Sequence, residues 1–276
     1  MERSQLDKTT KNPVNEEKSF LSNIIPKSQW KDDECYDMNH KNRGIALIFN
    51  HQYFDNPLFG ERRGTERDGN ALEGVFKALG FHVEIYDDYT RNKIFEVLRI
   101  VSKMDHTDND CLIVAILTHG KTMGRLFASD TDYTTAELFD SLSNLRCPTM
   151  AGKPKLFFLQ ACRGAKLDSG MAVRTDFQHR TDTTYTIPDM ADILIMYSTL
   201  EGFASWRDTS EGSWFIQSLV KKLQEYHETR DLLSILTTVN RQVAFEFESK
   251  SSDEKNNAKK EMCSIVSMLT RQLFFR

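Results

Sequence analysis

The chain has 276 residues, of which 39% are hydrophobic and 28% are charged, and its formal net charge is −4. This composition can build one large core, or at most two domains, and the charge gives no support for binding to nucleic acid or to an anionic membrane. The chain begins without an apolar stretch, and its longest apolar runs fall far short of the ~20 residues that span a bilayer. We therefore expect neither a secretory signal nor a membrane-spanning segment.

Residues 1–40 are polar and charged, without a clear hydrophobic period, which is typical of a short flexible extension. From residue 41 onward, buried-strand patterns alternate with amphipathic helix patterns. The predicted strands are 44–50, 83–86, 111–117, 156–159, 193–197 and 265–275, and the predicted helices are 65–79, 94–101, 136–145, 214–226 and 232–247. This alternation predicts an α/β domain over residues 41–276, with a mostly parallel, twisted six-stranded sheet and helices on both faces.

A long polar stretch, residues 168–186, interrupts the domain and is predicted to be an exposed loop. Loops of this length inside a compact domain are usually functional or disordered.

The chain contains five cysteines, in odd number and at wide spacings, and no CxxC pair. This pattern favours a reduced cytoplasmic location over a disulfide framework or a zinc site. We expect no metal and no cofactor. The cysteines are Cys35, Cys111, Cys147, Cys162 and Cys263.

Cys162 stands apart from the other cysteines because it directly follows a predicted buried strand and lies in the pentapeptide QACRG, residues 160–164. Ligands of open α/β sheets bind at the carboxyl ends of the strands, so a thiol at this point is a candidate nucleophile. His119 occupies the equivalent place after another buried strand and is followed by Gly120. Two neighbouring parallel strands would bring the thiol and the imidazole to the same edge.

The chain resembles the caspases, and among them the effector caspases with a short prodomain. QACRG is itself a signature of that family, with a histidine about 50 residues upstream. The matching stretches follow one another from about residue 39 to residue 275. They are residues 38–44, 63–65, 117–120, 152–157, 160–164, 197–199, 205–207, 212–215 and 265–270.

The resemblance implies a cysteine endopeptidase that cleaves proteins after Asp, with Cys162 as nucleophile and His119 as its acid–base partner. The backbone N–H groups of Gly120 and Cys162 would stabilise the oxyanion. In the family a backbone carbonyl orients the histidine, and here that carbonyl would belong to Gly60.

Arg62, Gln160 and Arg207 match the family's clamp for the substrate aspartate, and register against residues 64–65 favours Arg62 over Arg63. Two guanidinium groups and an amide can satisfy all lone pairs of one buried carboxylate, which predicts sharp specificity for Asp. The segment containing Ser205 and Trp206 would pair with the substrate as an added strand, with the indole ring as an apolar wall.

Two features depart from the family pattern. Ala204 stands where relatives often have a bulky aromatic residue, and residues 250–257 lack the aromatic residues of some effector relatives. Both departures concern pockets farther from the scissile bond, so the preferred tetrapeptide is left open beyond its final Asp.

An Asp-specific protease can also cut its own linkers. Asp182 and Asp176 in the long loop are candidate processing sites, and a cut there would separate a large-subunit part, to about residue 182, from a small-subunit part that begins at about residue 183. Asp33 and Asp32 are candidates for removal of the prodomain.

The last strand resembles the family's dimer seam and implies a homodimer, which becomes a heterotetramer of large and small subunits after cleavage. The expected partners are proteins and peptides with Asp before the scissile bond, an upstream initiator caspase and inhibitor-of-apoptosis proteins.

Three other interpretations fit the sequence less well. A catalytically dead homologue is not supported, since Cys162, His119, Arg62 and Arg207 are all present. A metacaspase or legumain would cleave after basic residues or Asn, which an arginine clamp disfavours. A nucleotide- or flavin-binding module ranks low because no glycine-rich phosphate loop follows the first strand.

Overall fold

The computed structural model describes residues 34–167, 188–250 and 252–276. Its main feature is a six-stranded sheet with strand order β11-β8-β7-β3-β1-β2. Every neighbouring pair is parallel except the edge pair β11–β8, which is antiparallel. The strands are β1 (Asn42–Asn50), β2 (His82–Asp87), β3 (Asn109–Leu117), β7 (Lys155–Gln160), β8 (Ile193–Tyr197) and β11 (Ser264–Ser267).

Five α-helices connect or follow these strands in the described part of the chain. They are α1 (Thr65–Ala78), α2 (Arg91–Lys103), α3 (Thr135–Asp140), α4 (Trp214–Tyr226) and α5 (Leu232–Glu246). The side chain of Thr90 caps α2 by accepting a hydrogen bond from the backbone of Lys93, and a capping box of Thr134 and Glu137 begins α3.

The central strands bury both faces, because successive side chains of a strand point to opposite sides of the sheet. Ile113 and Ala115 of β3 belong to one apolar core, together with α1, α4 and α5. Val114 and Ile116 belong to a second core, together with α2 and α3. The predicted α/β architecture with helices on both faces is therefore confirmed.

Two small antiparallel elements extend beyond the carboxyl edge of the sheet. One has three short strands, and the other is a two-stranded ribbon. They consist of β4 (Gly120–Lys121), β5 (Arg125–Phe127) and β6 (Asp132–Thr134), and of β9 (Arg207–Asp208) and β10 (Gly212–Ser213), respectively.

The prediction of a final strand over residues 265–275 is wrong in its extent, because β11 ends at Ser267. The N–H of Met268 still donates to the carbonyl of Ile193, after which the chain leaves β8 and the backbone N–H of Thr270 donates to the hydroxyl of Tyr36. Leu273 and Phe275 are apolar because they lie in the core on the α1 side of the sheet, not because they belong to a strand.

The composition predicts that the folded domain begins at residue 41, but the packed part of the chain begins earlier. Tyr36 and Met38 are buried in the first core, and Cys35 forms a backbone bridge with Gln272. A run with few apolar residues can still be held in place when those few enter an existing core. In the residues that the structure describes, no helix is both long enough and apolar enough to cross a bilayer.

Gly44 of β1 offers a test of this packing. Its φ of +123° is one that other residues rarely adopt, and a Cβ atom there would lie 1.8 Å from the carbonyl oxygen of Cys111. We expect Gly44→Ala to lower the free energy of unfolding by more than about 2 kcal/mol, measured by urea denaturation. Gly74 of α1 has nothing within 4 Å of such a Cβ. The matched variant Gly74→Ala should therefore raise stability by about 0.5–1 kcal/mol, and equal effects of the two changes would contradict the packing.

Candidate active site

The candidate nucleophile and base lie at the ends of two paired strands. β3 and β7 run parallel with Leu117 opposite Gln160, and the N–H of Thr118 donates to the carbonyl of Gln160 over 3.0 Å. His119 and Cys162 each lie two residues beyond this pair. The pairing of two buried strands thus places both residues at the carboxyl edge of the sheet, as expected.

Gly120 makes this close approach possible. A Cβ at residue 120 would lie 2.3 Å from the carbonyl oxygen of Cys162 and 3.0 Å from the side chain of Ala161. A larger residue would force the two strand ends apart, so the glycine is required by space.

Cys162 is half-buried and has a polar neighbour. Its Sγ accepts a hydrogen bond from the N–H of Ser205 over 3.4 Å. Cys111, Cys147 and Cys263 are buried, and burial raises the pKa of all three thiols. Among these four cysteines, Cys162 is the one that is partly exposed, so it is the one that a substrate can reach.

His119 is oriented by backbone and enclosed by aromatic rings. Its Nε2 lies 3.2 Å from the carbonyl oxygen of Gly60, as the resemblance implies. Because a carbonyl only accepts, the neutral ring carries its proton on Nε2 and leaves the Nδ1 lone pair free. Phe59 stacks on the imidazole at 5.0 Å, and Phe54 lies at 4.9 Å.

The electrostatic surroundings of His119 favour the neutral imidazole. Loss of water around the ring lowers its pKa to about 4, and the charges of Arg62 and Arg207 act in the same direction. The ring is therefore an uncharged base at neutral pH.

Arg62 is one of the largest fully buried side chains of the described residues, with 1% of its surface exposed. Its guanidinium donates to the carbonyl of His51 over 2.7 Å and to the hydroxyl of Thr65 over 2.8 Å. Arg63, in contrast, is exposed and pairs with Glu61. Burial therefore selects Arg62 over its neighbour as the arginine of a pocket.

Arg207 in β9 lies close to Arg62. Burial, and to a smaller extent the charge of Arg207, lower the pKa of Arg62 to about 9. Burial also lowers the pKa of Arg207. The Nε of Arg207 donates to the carbonyl of Arg63 over 2.9 Å.

Neither Arg62 nor Arg207 forms an ion pair with a carboxylate within residues 34–167, 188–250 and 252–276. A buried cation and a half-buried cation that lie close together repel each other, so a bound carboxylate would relieve an existing electrostatic cost.

Gln160 adds a neutral amide to this group. It is buried, and its Nε2 donates to the hydroxyl of Ser205 over 2.9 Å. Its Oε1 is buried without a hydrogen-bond partner in the described structure. Unpaired buried polar atoms are uncommon in folded proteins and often mark functional positions.

The segment beside Cys162 is held by a residue that sequence reasoning missed. Glu261 is buried and accepts hydrogen bonds from the Ser205 hydroxyl over 2.9 Å and from the Trp206 N–H over 2.7 Å. It directly follows the charged run of residues 250–260, and this sequence pattern does not indicate that the Glu261 side chain is buried. The Trp206 ring stacks on Trp214 at 5.9 Å and contributes an apolar surface.

The structure thus brings together eight of the predicted site residues at one edge of the sheet. They are Cys162, His119, Gly120, Arg62, Gln160, Arg207, Ser205 and Trp206. The candidate processing residues Asp182, Asp176, Asp33 and Asp32 lie outside the described residues. No cluster of His, Cys, Asp and Glu suited to a metal ion is found in the described ranges.

Comparison with known proteins gives consistent matches. Residues 43–274 match the family described as Caspase domain. The chain is 45% identical over 242 residues to caspase-1 of Spodoptera frugiperda, which covers 87% of this chain and 81% of that protein. It is 37% identical over 255 residues to caspase-3 of Xenopus laevis, with 92% and 88% covered. The crystal structure of the Spodoptera frugiperda protein superposes with a TM-score of 0.83 at 43% identity, and the match covers 89% of this chain and 96% of that chain.

The enclosure of His119 predicts a measurable titration. We expect an NMR midpoint of about 4, because desolvation lowers the pKa, so the ring gains a proton only as the pH falls through that value. Phe59→Ala admits water to the ring and should raise the midpoint toward 6.5. Phe245→Ala, at a ring that is 77% exposed, serves as the control and should leave the midpoint unchanged. An unshifted midpoint in Phe59→Ala would show that the aromatic cover does not set the pKa.

Proposed function

The chain belongs to the caspase family, and we propose that Cys162 and His119 are the residues that carry out its peptide-bond hydrolysis. It is a cysteine endopeptidase that cleaves proteins after Asp, of the effector type that acts in apoptosis. Members of this family are activated from zymogens and assemble as dimers.

The proposed reaction begins with transfer of the Cys162 thiol proton to Nδ1 of His119. The thiolate attacks the backbone carbonyl carbon of the substrate Asp, and collapse of the tetrahedral intermediate releases the amine of the following residue, which takes the proton from the imidazolium. Water then hydrolyses the thioester and restores the thiol. The hydrogen bond between Nε2 and the Gly60 carbonyl keeps the ring in the tautomer that these reaction steps require.

The proposed oxyanion donors are the backbone N–H groups of Gly120 and Cys162. The absence of a side chain at residue 120 supports this assignment, since the substrate carbonyl must approach the backbone closely there. One such donor is worth about 10²–10³ in rate.

The observation that carries the proposed specificity is the pair formed by the buried guanidinium of Arg62 and the half-buried Arg207. Each has its pKa lowered by burial, and no carboxylate of the described chain pairs with either. A substrate Asp carboxylate fits this charge, and the Gln160 amide completes the set of donors. A neutral side chain would leave both cations buried and unpaired, which is the physical basis for rejecting it.

The substrate backbone is proposed to pair with the segment from Ser205 to Arg207 as an added strand. Trp206, stacked on Trp214, would contact an apolar substrate side chain.

The remaining proposals concern processing, partners and location. Cleavage after Asp182 or Asp176 would separate the large and small subunits, and Asp33 or Asp32 would serve for removal of the prodomain. β11, with Val266 exposed at the sheet edge, is the proposed dimer seam. An upstream initiator caspase and inhibitor-of-apoptosis proteins remain proposed partners, and the cytoplasm is the proposed location.

Hydrolysis of reporter peptides tests the proposed function. We expect an acyl-Asp reporter to be hydrolysed with a kcat/KM at least about 10⁴-fold above that of the matching Asn reporter. Cys162→Ala should lower turnover by at least about 10⁴-fold, because it removes the nucleophile. Cys35→Ala changes an exposed cysteine and should retain full activity. Equal turnover of the Asp and Asn reporters would disprove the specificity, and an active Cys162→Ala would disprove the mechanism.

Arg207→Gln tests the clamp. Removing one charge that holds a buried carboxylate should lower kcat/KM for the Asp reporter by about 100-fold or more and narrow its advantage over the Asn reporter. Arg67 on α1 is exposed, so Arg67→Gln should stay within about twofold of the wild type. An unchanged Asp-to-Asn ratio in Arg207→Gln would remove this arginine from the pocket.

A further inference from the structure

The carboxyl group of Glu261 lies directly behind the proposed substrate-binding segment. Only 2% of the residue is exposed, and no cation pairs with it in the described part of the chain. Its two oxygens are used separately, since Oε1 contacts the Ser205 hydroxyl over 2.9 Å and Oε2 contacts the Trp206 N–H over 2.7 Å. A buried acid without a cation is costly to ionise, so its protonation state has structural consequences.

The hydrogen bonds from Glu261 continue to Gln160 through Ser205. An ionised carboxylate can only accept, so the Ser205 hydroxyl must donate its single proton to Glu261. The Ser205 oxygen is then left as an acceptor, and it lies 2.9 Å from Nε2 of Gln160. In this direction of bonding, the Gln160 amide presents its NH₂ group to Ser205.

We propose that Glu261, Ser205 and Gln160 form a hydrogen-bond relay in which ionised Glu261 fixes the amide of Gln160 in the orientation that binds the substrate carboxylate. Glu261 is a positioning residue in this relay, because it acts on the substrate only through Ser205 and Gln160. The inference rests on the proposed function, since it assumes that Gln160 lines the aspartate pocket.

The neutral form of Glu261 allows a second arrangement. Its carboxyl O–H can donate to Ser205 while the other oxygen still accepts from Trp206. The Ser205 proton is then free to donate to Gln160, whose Oε1 has no partner in the observed arrangement. Rotation of the Gln160 amide would let that oxygen accept from the Ser205 hydroxyl. The NH₂ group would then turn away from Ser205, out of the orientation that is proposed to bind the carboxylate. The fraction of molecules ready to bind a carboxylate falls, and the apparent affinity falls with it.

The surroundings of Glu261 place this change in an accessible pH range. Burial raises the pKa of Glu261 to about 8, and the hydrogen bonds from Trp206 and Ser205 oppose the rise. Cys263 is the titratable neighbour on the same segment, and its pKa is raised by its own burial and by the charge of Glu261.

The other ionisable side chains of the neighbouring segments contact groups other than Glu261. Cys162 contacts the other side of Ser205, Arg207 donates to the carbonyl of Arg63, and Lys260 pairs with Glu248. Glu261 thus loses its charge as the pH falls through about 8.

The relay predicts how KM for an acyl-Asp reporter depends on pH. KM should rise about three- to tenfold as the pH falls from 9.5 to 6.5, because the competent orientation of Gln160 becomes a minority. kcat should lack this step, since the relay acts on binding of the substrate carboxylate and not on the reacting atoms of Cys162 and His119. A wild-type KM that stays constant over this range would overturn the proposal without any variant.

Glu261→Gln isolates the cause. The Trp206 N–H needs an oxygen, so the new amide turns its NH₂ group to Ser205 and imitates the neutral acid at every pH. We expect this variant to show the high KM of the low-pH wild type throughout, with no step. A step that persists in Glu261→Gln would assign it to another group, and Cys263→Ser, which removes the neighbouring thiol, should leave the step in place.

Asp192→Asn is the matched control for loss of a buried carboxyl. Asp192 is buried and accepts from the hydroxyls of Tyr36 and Thr270, but it lies at the amino end of β8, at the far edge of the sheet. This variant should lower stability and keep the pH step in KM. Loss of the step in Asp192→Asn would mean that the step reports general weakening of the fold.

Thermal unfolding provides a readout that is independent of activity. A folded-state pKa above that of the unfolded chain stabilises the protein at low pH and loses this contribution as the pH rises through the folded value. The Tm of the wild type relative to Glu261→Gln should therefore fall between pH 6.5 and pH 9.5. If this shift occurs without a step in KM, the relay is wrong while Glu261 still titrates. If Cys162→Ala remains active or Asp selectivity is absent, the proposed function itself fails.

Discussion

The pairing of β3 with β7 is the constraint on which the site depends. Both strands are buried on both faces, so their register is held by the two cores and not by the residues of the site. Their carboxyl ends carry His119 and Cys162, and the missing side chain of Gly120 allows the Cys162 backbone to come close. The geometry of the candidate catalytic pair is therefore a consequence of core packing at a distance from these two side chains.

The site also places several ionisable side chains where contact with water is reduced. Arg62, Arg207 and Glu261 are ionisable groups placed in surroundings that oppose their charge, and none forms an ion pair within the described chain, although the charge of Asp68 partly offsets the burial of the two arginines. Such an arrangement does not contribute to the stability of the free protein. A substrate carboxylate would neutralise the positive charge of the two arginines in this pocket. These charges lower the stability of the free protein and provide specificity for the substrate.

The aromatic residues around the edge complete this environment. Phe59 and Phe54 remove water from His119, while Trp206, Trp214 and Phe247 form a continuous stack on the other side. Exclusion of water lowers the pKa of the imidazole and strengthens hydrogen bonds to bound groups. The segments that carry these rings thus act on the chemistry through solvation.

The order of strands and helices, the QACRG turn and the pair of Cys162 and His119 follow from the sequence alone, because hydrophobic period and turn residues are local properties. The extent of the last strand does not, since Leu273 and Phe275 enter the core without strand pairing, and periodicity cannot separate these two reasons for being apolar. The same limit applies to Tyr36, whose burial depends on residues near Thr270. Only the tertiary structure reveals that Glu261 is buried behind Ser205 and that Arg62 is enclosed while Arg63 is exposed, because burial of a charged side chain is decided by distant segments that fold over it.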